Sequence, residues 1–299
     1  MKTADKSRKV RLDGMSLTLE DVANVARRGW AVELDEETVR RVEASSAAVR
    51  AWENSDDVVY GITTGFGDLA SVNISRKDRR LLQENLLKSH ACGVGAPFPE
   101  DITRAMMLPR INSLVRGHSG ISLAVLNQFV DLLNLGIHPV VPCQGSVGAS
   151  GDLCPLSHLA LPLIGHGSVR YKGRTMAAAK ALQMAGLSPV QLGAKEGLAL
   201  NNGTASMGAM AVLALLDAEC LAKTADIAAA LSIEALHGVP FAFDPRTHAL
   251  RPHNGQGRVA GNIRRLIEGS EILEKFKSGK VQDAYSLRCV PQVHGATRD

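Results

Sequence analysis

The run Gly145-Ser146-Val147-Gly148-Ala149-Ser150-Gly151-Asp152-Leu153 sets three glycines within seven residues, between Pro142 and Pro155. Neither a regular helix nor a strand sustains that density. Two ordinary readings are a tight loop and a backbone nest for an anion. It is not a P-loop, because no Gly-Lys-Ser/Thr follows, and not a nucleophile elbow, because Asp152 rather than glycine stands two residues after Ser150. Its centre, Ala149-Ser150-Gly151, permits another chemistry. In a strained turn the amide nitrogen of Gly151 can attack the carbonyl carbon of Ala149. Only glycine leaves that nitrogen uncrowded, and the small alanine leaves the carbonyl open. Loss of water closes a five-membered ring, and dehydration of Ser150 leaves an exocyclic methylene, an electrophile that ordinary side chains cannot supply. Ala-Ser-Gly alone says little in a chain with 28 glycines, so its surroundings decide.

Those surroundings form an ordered set. The loop runs into Pro155-Leu156-Ser157-His158. Before it come Tyr60-Gly61-Ile62-Thr63-Thr64-Gly65-Phe66-Gly67 and Ser89-His90-Ala91-Cys92-Gly93. After it come Lys195-Glu196-Gly197-Leu198-Ala199-Leu200 with Asn202-Gly203-Thr204, then Gln282-Asp283-Ala284-Tyr285-Ser286-Leu287-Arg288-Cys289. These five collinear motifs resemble the aromatic amino acid ammonia-lyases and aminomutases, whose self-made cofactor is 4-methylideneimidazole-5-one (MIO). Ser89-His90 is similar to histidine ammonia-lyases and also to some tyrosine aminomutases.

The resemblance implies elimination of ammonia from an L-amino acid, with MIO formed from Ala149, Ser150 and Gly151. The methylene would capture the amine and improve it as a leaving group, a form of covalent catalysis. Tyr60 would be the base. A free tyrosine titrates near ~10, so the site must stabilise its phenolate. Gly65 and Gly67 would let the tyrosine loop fold over the site. Arg288 is implied as the carboxylate clamp, since guanidinium pairs with carboxylate through two hydrogen bonds. Asn202 and the backbone at Gly203 would hold the MIO carbonyl. Gln282 and Tyr285 would complete a polar wall, and Asp152 would orient the loop. His90 occupies the position that contacts the substrate side chain, which favours an imidazole first and a phenol second. A 2,3-aminomutase outcome and a non-catalytic interaction role are the alternatives. Without the resemblance, Tyr60 reads as a half-buried strand tyrosine, His90 as a solvated helix residue and Arg288 as a surface ion-pair partner.

Two features depart from the family. Asn201 stands where an apolar residue is usual, and is expected either to add a polar contact for an unusual substrate or to lower activity. The chain also stops at Asp299, shortly after the last motif, so the resemblance covers the N-terminal half of the family fold. That predicts exposed apolar surface on the last helices, covered by a homo-oligomer or by a second chain bringing the C-terminal helical half.

The elements that must hold these motifs are mainly helical. Leu19 to Arg28 reads as a helix capped by Thr18, and Asp35 to Glu53 as another with Val39, Val42 and Val49 on one side. Val58 to Thr64 breaks the pattern as a short strand or loop. Asp78 to His90 reads as amphipathic, with Leu81, Leu82, Asn85, Leu86 and Ser89 on adjoining faces. Glu100 to Arg116 and Ile121 to Leu135 are further helices, Val169 to Met176 a hairpin around Lys172-Gly173, and Ala177 to Ala185 a short helix. The proline-free, alanine-rich stretch between Val190 and Val239 predicts one or two long helices. Pro240 to Gly261 reads as a long surface loop. The fold class is therefore mainly α: an N-terminal MIO-bearing domain with a few short strands over 1–200, then the start of a long-helix bundle over 201–299.

The 299 residues carry a net charge of +4, with 45% hydrophobic, 21% charged and 4% aromatic residues. Disorder does not fit that balance. Basic residues are spread along the chain without interleaved aromatics, which argues against nucleic acid. The longest apolar stretches, Ala209 to Leu216 and Ile227 to Leu231, fall short of a membrane span, and no apolar segment follows the basic N-terminus to make a secretory signal. Five widely spaced cysteines, Cys92, Cys143, Cys154, Cys220 and Cys289, favour a reducing, cytoplasmic setting and read as small buried apolar residues. His248 and His253, and His158 and His166, lack the spacing and carboxylate partners of a metal site, so none is expected.

Overall fold

A computed structural model describes residues 8–55, 57–276 and 280–299. The chain divides into two compact units, the first running to Leu213 and the second from Ala214 to Asp299. The division falls inside a long helix rather than at residue 200.

The first unit is built from β1 (Lys9–Leu12), α1 (Leu19–Arg28), β2 (Ala31–Leu34), α2 (Glu36–Glu53), α3 (Arg76–His90), β3 (Val94–Pro97), α4 (Glu100–Leu114), α5 (Leu123–Leu135), β4 (His138–Pro139), β5 (Pro142–Gln144), α6 (Leu153–Ala160), β6 (Ser168–Tyr171), β7 (Arg174–Ala177), α7 (Ala178–Met184) and α8 (Glu196–Asn201), and it ends within α9 (Ala205–Ala235). Its strands are short. β1 pairs parallel with β2, β3 antiparallel with β5, and β4, β6 and β7 form an antiparallel sheet.

Local chemistry sets these boundaries. Thr18 accepts from the Asp21 amide while Asp21 returns a bond to the Thr18 backbone, a complete capping box for α1. Asp35 caps α2 through the Thr38 amide. Lys172 and Gly173 take φ of 50° and 75°, as a two-residue hairpin between β6 and β7 requires. In α3 the fully buried side is Arg79, Gln83 and Leu87, whereas Leu81, Asn85 and Ser89 are exposed. The leucine pattern misplaced that face because Arg79 and Gln83 are buried by hydrogen-bonding backbone: Arg79 donates to the carbonyls of Ile74 and Glu53, and Gln83 accepts from the Gly197 amide at 3.0 Å. α4 is buried nearly all round, with Met106, Met107, Leu108 and Ile111 in one core with Leu126, Phe129 and Leu132 of α5 and Leu156 and Leu159 of α6.

The second unit holds the rest of α9, α10 (Pro245–Ala249), α11 (Asn254–Leu266), α12 (Glu271–Lys275), α13 (Tyr285–Arg288) and α14 (Val290–Arg298). Pro240 to Gly261 is not a long loop. It forms a 3-10 turn (Pro240–Phe243), α10 and the first half of α11. The glycines that suggested a loop serve close packing instead: a β-carbon on Gly255 would strike the Gly295 carbonyl of α14. His248 is held between Gln256 and the Ala242 carbonyl. Asp226 of α9 is buried and accepts from Asn262, His294 and Arg298.

Among the described residues one helical run, Glu196–Ala235, is long and apolar enough by length and composition to cross a membrane, with a mean hydropathy of 1.6. Counting contiguous apolar residues misses it, because isolated charges such as Asp217 and Lys223 interrupt the run. Core helices of soluble proteins meet the same criterion. Within α9, Leu215, Leu221, Ile227 and Leu231 are exposed. The cysteines are not uniformly buried: Cys92, Cys143 and Cys220 are exposed, Cys289 is intermediate, and Cys154 is buried.

Candidate active site

β5 leads into the glycine-rich loop, which turns through left-handed backbone at Gly148 (φ 74°), Ser150 (φ 56°) and Gly151 (φ 93°). For Ser150 that conformation costs on the order of 1 kcal/mol. The Gly151 amide donates to the Gly148 carbonyl at 3.3 Å. Ala149 and Ser150 are exposed, yet Gly151 and Asp152 are buried, so the chain passes from solvent to interior within one residue. A β-carbon on Gly151 would collide with the Gly203 carbonyl. That same carbonyl accepts from the Asp152 amide at 2.6 Å.

Asp152 has no exposed surface. One carboxylate oxygen accepts from Ser146 Oγ at 2.8 Å and the other from the Met207 amide, also at 2.8 Å. The first bond closes the loop on itself. The second satisfies an otherwise orphaned amide in the first turn of α9. The loop is thus exposed at its crown and clamped at its exit.

Asn202 and Gly203 follow α8. Behind them lies Arg110 of α4, which the sequence reading did not single out. It is 6% exposed, and its Nη1 donates to the Asn202 carbonyl at 2.9 Å while Nη2 donates to the Ala199 carbonyl. Burial pushes its guanidinium down to about 10. Its two partners lie 92 and 89 residues away in sequence, so no local pattern marks it. Glu196, quoted in the motif without a role, is buried and accepts from the amides of Ser122 and Gly193. Asn201 is fully buried and donates to Ser157 Oγ at 3.1 Å, so it bonds into α6 rather than adding a contact at the exposed loop.

The segment after α3 reaches the loop from another side. β3 pairs with β5, and around Gly93 a β-carbon would meet His158 Nε2, Pro142 and Cys154 Sγ within 3.3 Å. The Gly93 amide donates to His158 Nε2 at 3.1 Å, and burial pushes the His158 ring below the usual histidine range. His90, half-buried at the end of α3, has Nδ1 2.9 Å from the Leu86 carbonyl. A carbonyl only accepts, so in this bond Nδ1 carries the proton, and Nε2 is the other ring nitrogen.

Tyr60 lies in a turn, not a strand, and is 52% exposed. Its ring meets Phe66 edge-on at 6.0 Å, and its Oη accepts from the Gly67 amide at 3.4 Å. The turn is anchored by buried Thr63 and Thr64, whose hydroxyls accept from the amides of Val59 and Gly61. Gly61 packs against Phe66 and towards Leu198 of α8.

The first unit therefore sets Gly151 and Asp152 against Gly203, with Ala149 and Ser150 at the exposed crown before them. In the second unit, described by itself, Gln282 and Tyr285 are exposed, and the Arg288 guanidinium lies over the Tyr285 ring at 4.2 Å. Arg288 Nε is buried without a hydrogen-bond partner. Among the described residues no group of three or more His, Cys, Asp or Glu side chains could hold a metal ion.

Over residues 17–299 the chain matches the family described as aromatic amino acid lyase. The histidine ammonia-lyase of Alkaliphilus oremlandii is 50% identical over 292 residues, covering 98% of this chain and 58% of that protein. The histidine ammonia-lyase of Streptococcus pyogenes serotype M49 is 49% identical, covering 98% and 57%. Among solved structures, the ergothionase of Treponema denticola superposes with a TM-score of 0.89 at 33% identity, over 96% of this chain and 58% of that one. Tyrosine aminomutase from Streptomyces globisporus gives 0.88 at 38%, over 97% and 59%. The chain spans a little more than half the length of the relatives it matches.

Proposed function

The chain belongs to the aromatic amino acid lyase family, and from that premise we propose that it takes part in eliminating ammonia from an L-amino acid with a histidine-like side chain, through MIO made from Ala149, Ser150 and Gly151. The supporting observation is the loop itself. Ser150 is presented to solvent in left-handed backbone, while Gly151 is held where only glycine fits. Once formed, MIO supplies an electrophile for the substrate amine, which ordinary side chains lack.

This chain's own groups do the rest. Tyr60 takes the β-proton, and the Gly67 amide aimed at its oxygen stabilises the phenolate that this requires. His90 presents a ring nitrogen that can accept from an imidazole N–H or a phenol. Asn202 and Gly203 support the MIO carbonyl and Asp152 orients the loop. In the second unit, Arg288 holds a substrate carboxylate. Its stacking on Tyr285 positions the guanidinium, with Gln282 supplying a further polar group. The exposed leucines of α9 support an oligomer or a further helical segment covering that face. The histidine ammonia-lyases that are about 50% identical to this chain support the lyase outcome.

The test is incubation of the purified protein with L-histidine, following ammonia and the ultraviolet absorbance of a conjugated acid. Equal amounts of both, absent in Ser150→Ala, support the reading. Failure to release ammonia from L-histidine, L-tyrosine and L-phenylalanine overturns it.

A further inference from the structure

We propose that Arg110 is a positioning residue for the self-modification of the loop: its guanidinium fixes the Asn202–Gly203 backbone as the wall against which Gly151 is driven toward the Ala149 carbonyl. This rests on the MIO reading above.

The geometry has three parts. Arg110 binds two acceptors around the end of α8, the carbonyls of Ala199 and, three residues later, Asn202. A β-carbon on Gly203 would strike Arg110 Nη1, so guanidinium and backbone touch directly. On its other side Gly203 meets Gly151 and accepts from the Asp152 amide. Arg110, Gly203 and Gly151 thus form one contiguous stack, with a charged planar group at its base. Among the described residues no carboxylate pairs with Arg110, so it is a buried cation whose guanidinium is held by the two carbonyls, with Nε left without a partner.

The chemistry needs such a wall. Gly151 N must leave its bond to the Gly148 carbonyl and form a bond to the Ala149 carbonyl carbon. The Ala149 oxygen departs as water with the amide hydrogens of Gly151 and Ser150. The Ser150 hydroxyl departs as a second water with the Ser150 α-hydrogen. No oxidant or reductant takes part. An amide nitrogen is a poor nucleophile, so the rate depends on how closely and rigidly the turn is held, and a displacement of about 1 Å costs about 10²-fold.

A purely structural Arg110, capping the last carbonyls of α8, predicts lost stability but normal modification. Intact mass distinguishes the two. The extent of two-water loss is followed in time after synthesis for the wild type, Arg110→Met, Arg110→Lys and Leu126→Ala, the last a truncation of a fully buried core side chain in α5. We expect modification to be about 10²-fold slower in Arg110→Met, partly rescued in Arg110→Lys, and unimpaired in Leu126→Ala. Wild-type rates in folded Arg110→Met, or equal slowing in Leu126→Ala, overturn the proposal. If Arg110→Met does not fold, Gly203→Ala decides, since its methyl presses on the same contact: slow modification supports the wall and wild-type modification overturns it. An unmodified wild type overturns the MIO reading and this inference with it, which separates the two failures.

Discussion

Residues 143–150 and residues 151–154 are neighbours in sequence and opposites in environment. The first stretch is exposed from Cys143 to Ser150, whereas Gly151, Asp152 and Cys154 are buried. The crown carries the Ala149 carbonyl and the Ser150 side chain, while the exit carries Gly151, whose nitrogen would attack, and the bonds that hold it in place: Asp152 to Ser146 and Met207, and Gly203 to Asp152. On the proposed function, reactivity would be presented where substrate can reach it, and rigidity is supplied from behind, where desolvation strengthens every hydrogen bond. Changes at the crown should therefore alter chemistry without altering stability, and changes at the exit should alter both.

That contrast orders the expected effects. Ser150→Ala should abolish ammonia release while leaving the melting temperature at or above that of the wild type, since alanine tolerates the turn about as well as serine. Tyr60→Phe should lower kcat by about 10²–10⁴-fold with the two-water mass loss intact, because the hydroxyl lies outside the loop; loss of the modification there would make Tyr60 structural. Gly151→Ala should fail on both counts, blocking ring closure and destabilising by about 3 kcal/mol, read by denaturant midpoint. Asp152→Ala should cost about 2–4 kcal/mol, because the Met207 amide and the Ser146 hydroxyl lose their acceptor.

The smallest effect is in pH. Burial holds the His158 ring below its ordinary value, and neutral Nε2 accepts from Gly93. A depressed folded value means the folded state favours the neutral ring, so this stabilisation is complete above about 6.5 and fades as pH falls below it. His138 and His248 are shifted the same way by burial. Denaturant midpoints should fall between neutral and mildly acid pH, and His158→Gln should remove part of that slope.

Much of this was legible in the sequence because local chemistry wrote it there. Thr18 and Asp21, Asp35, and Lys172-Gly173 each fix an element end with their own side chains or turn conformation. What escaped was decided at long range. Gly255 reads as a loop glycine until Gly295 is packed on it. Asn201 reads as a candidate substrate contact until Ser157 is found beside it. Arg79 and Gln83 look solvent-facing until the backbone they bond is in place. Arg110 lies far in sequence from the carbonyls it holds, and no short motif links them. The reactive loop was readable as chemistry; the wall behind it was readable only as structure.

The most direct test is the intact mass of the purified protein beside Ser150→Ala. The account predicts that the wild type is lighter than its sequence by two waters and that the variant matches its sequence. A wild type that also matches its sequence would contradict the central claim, because the loop would then be an exposed turn and not the precursor of an electrophile.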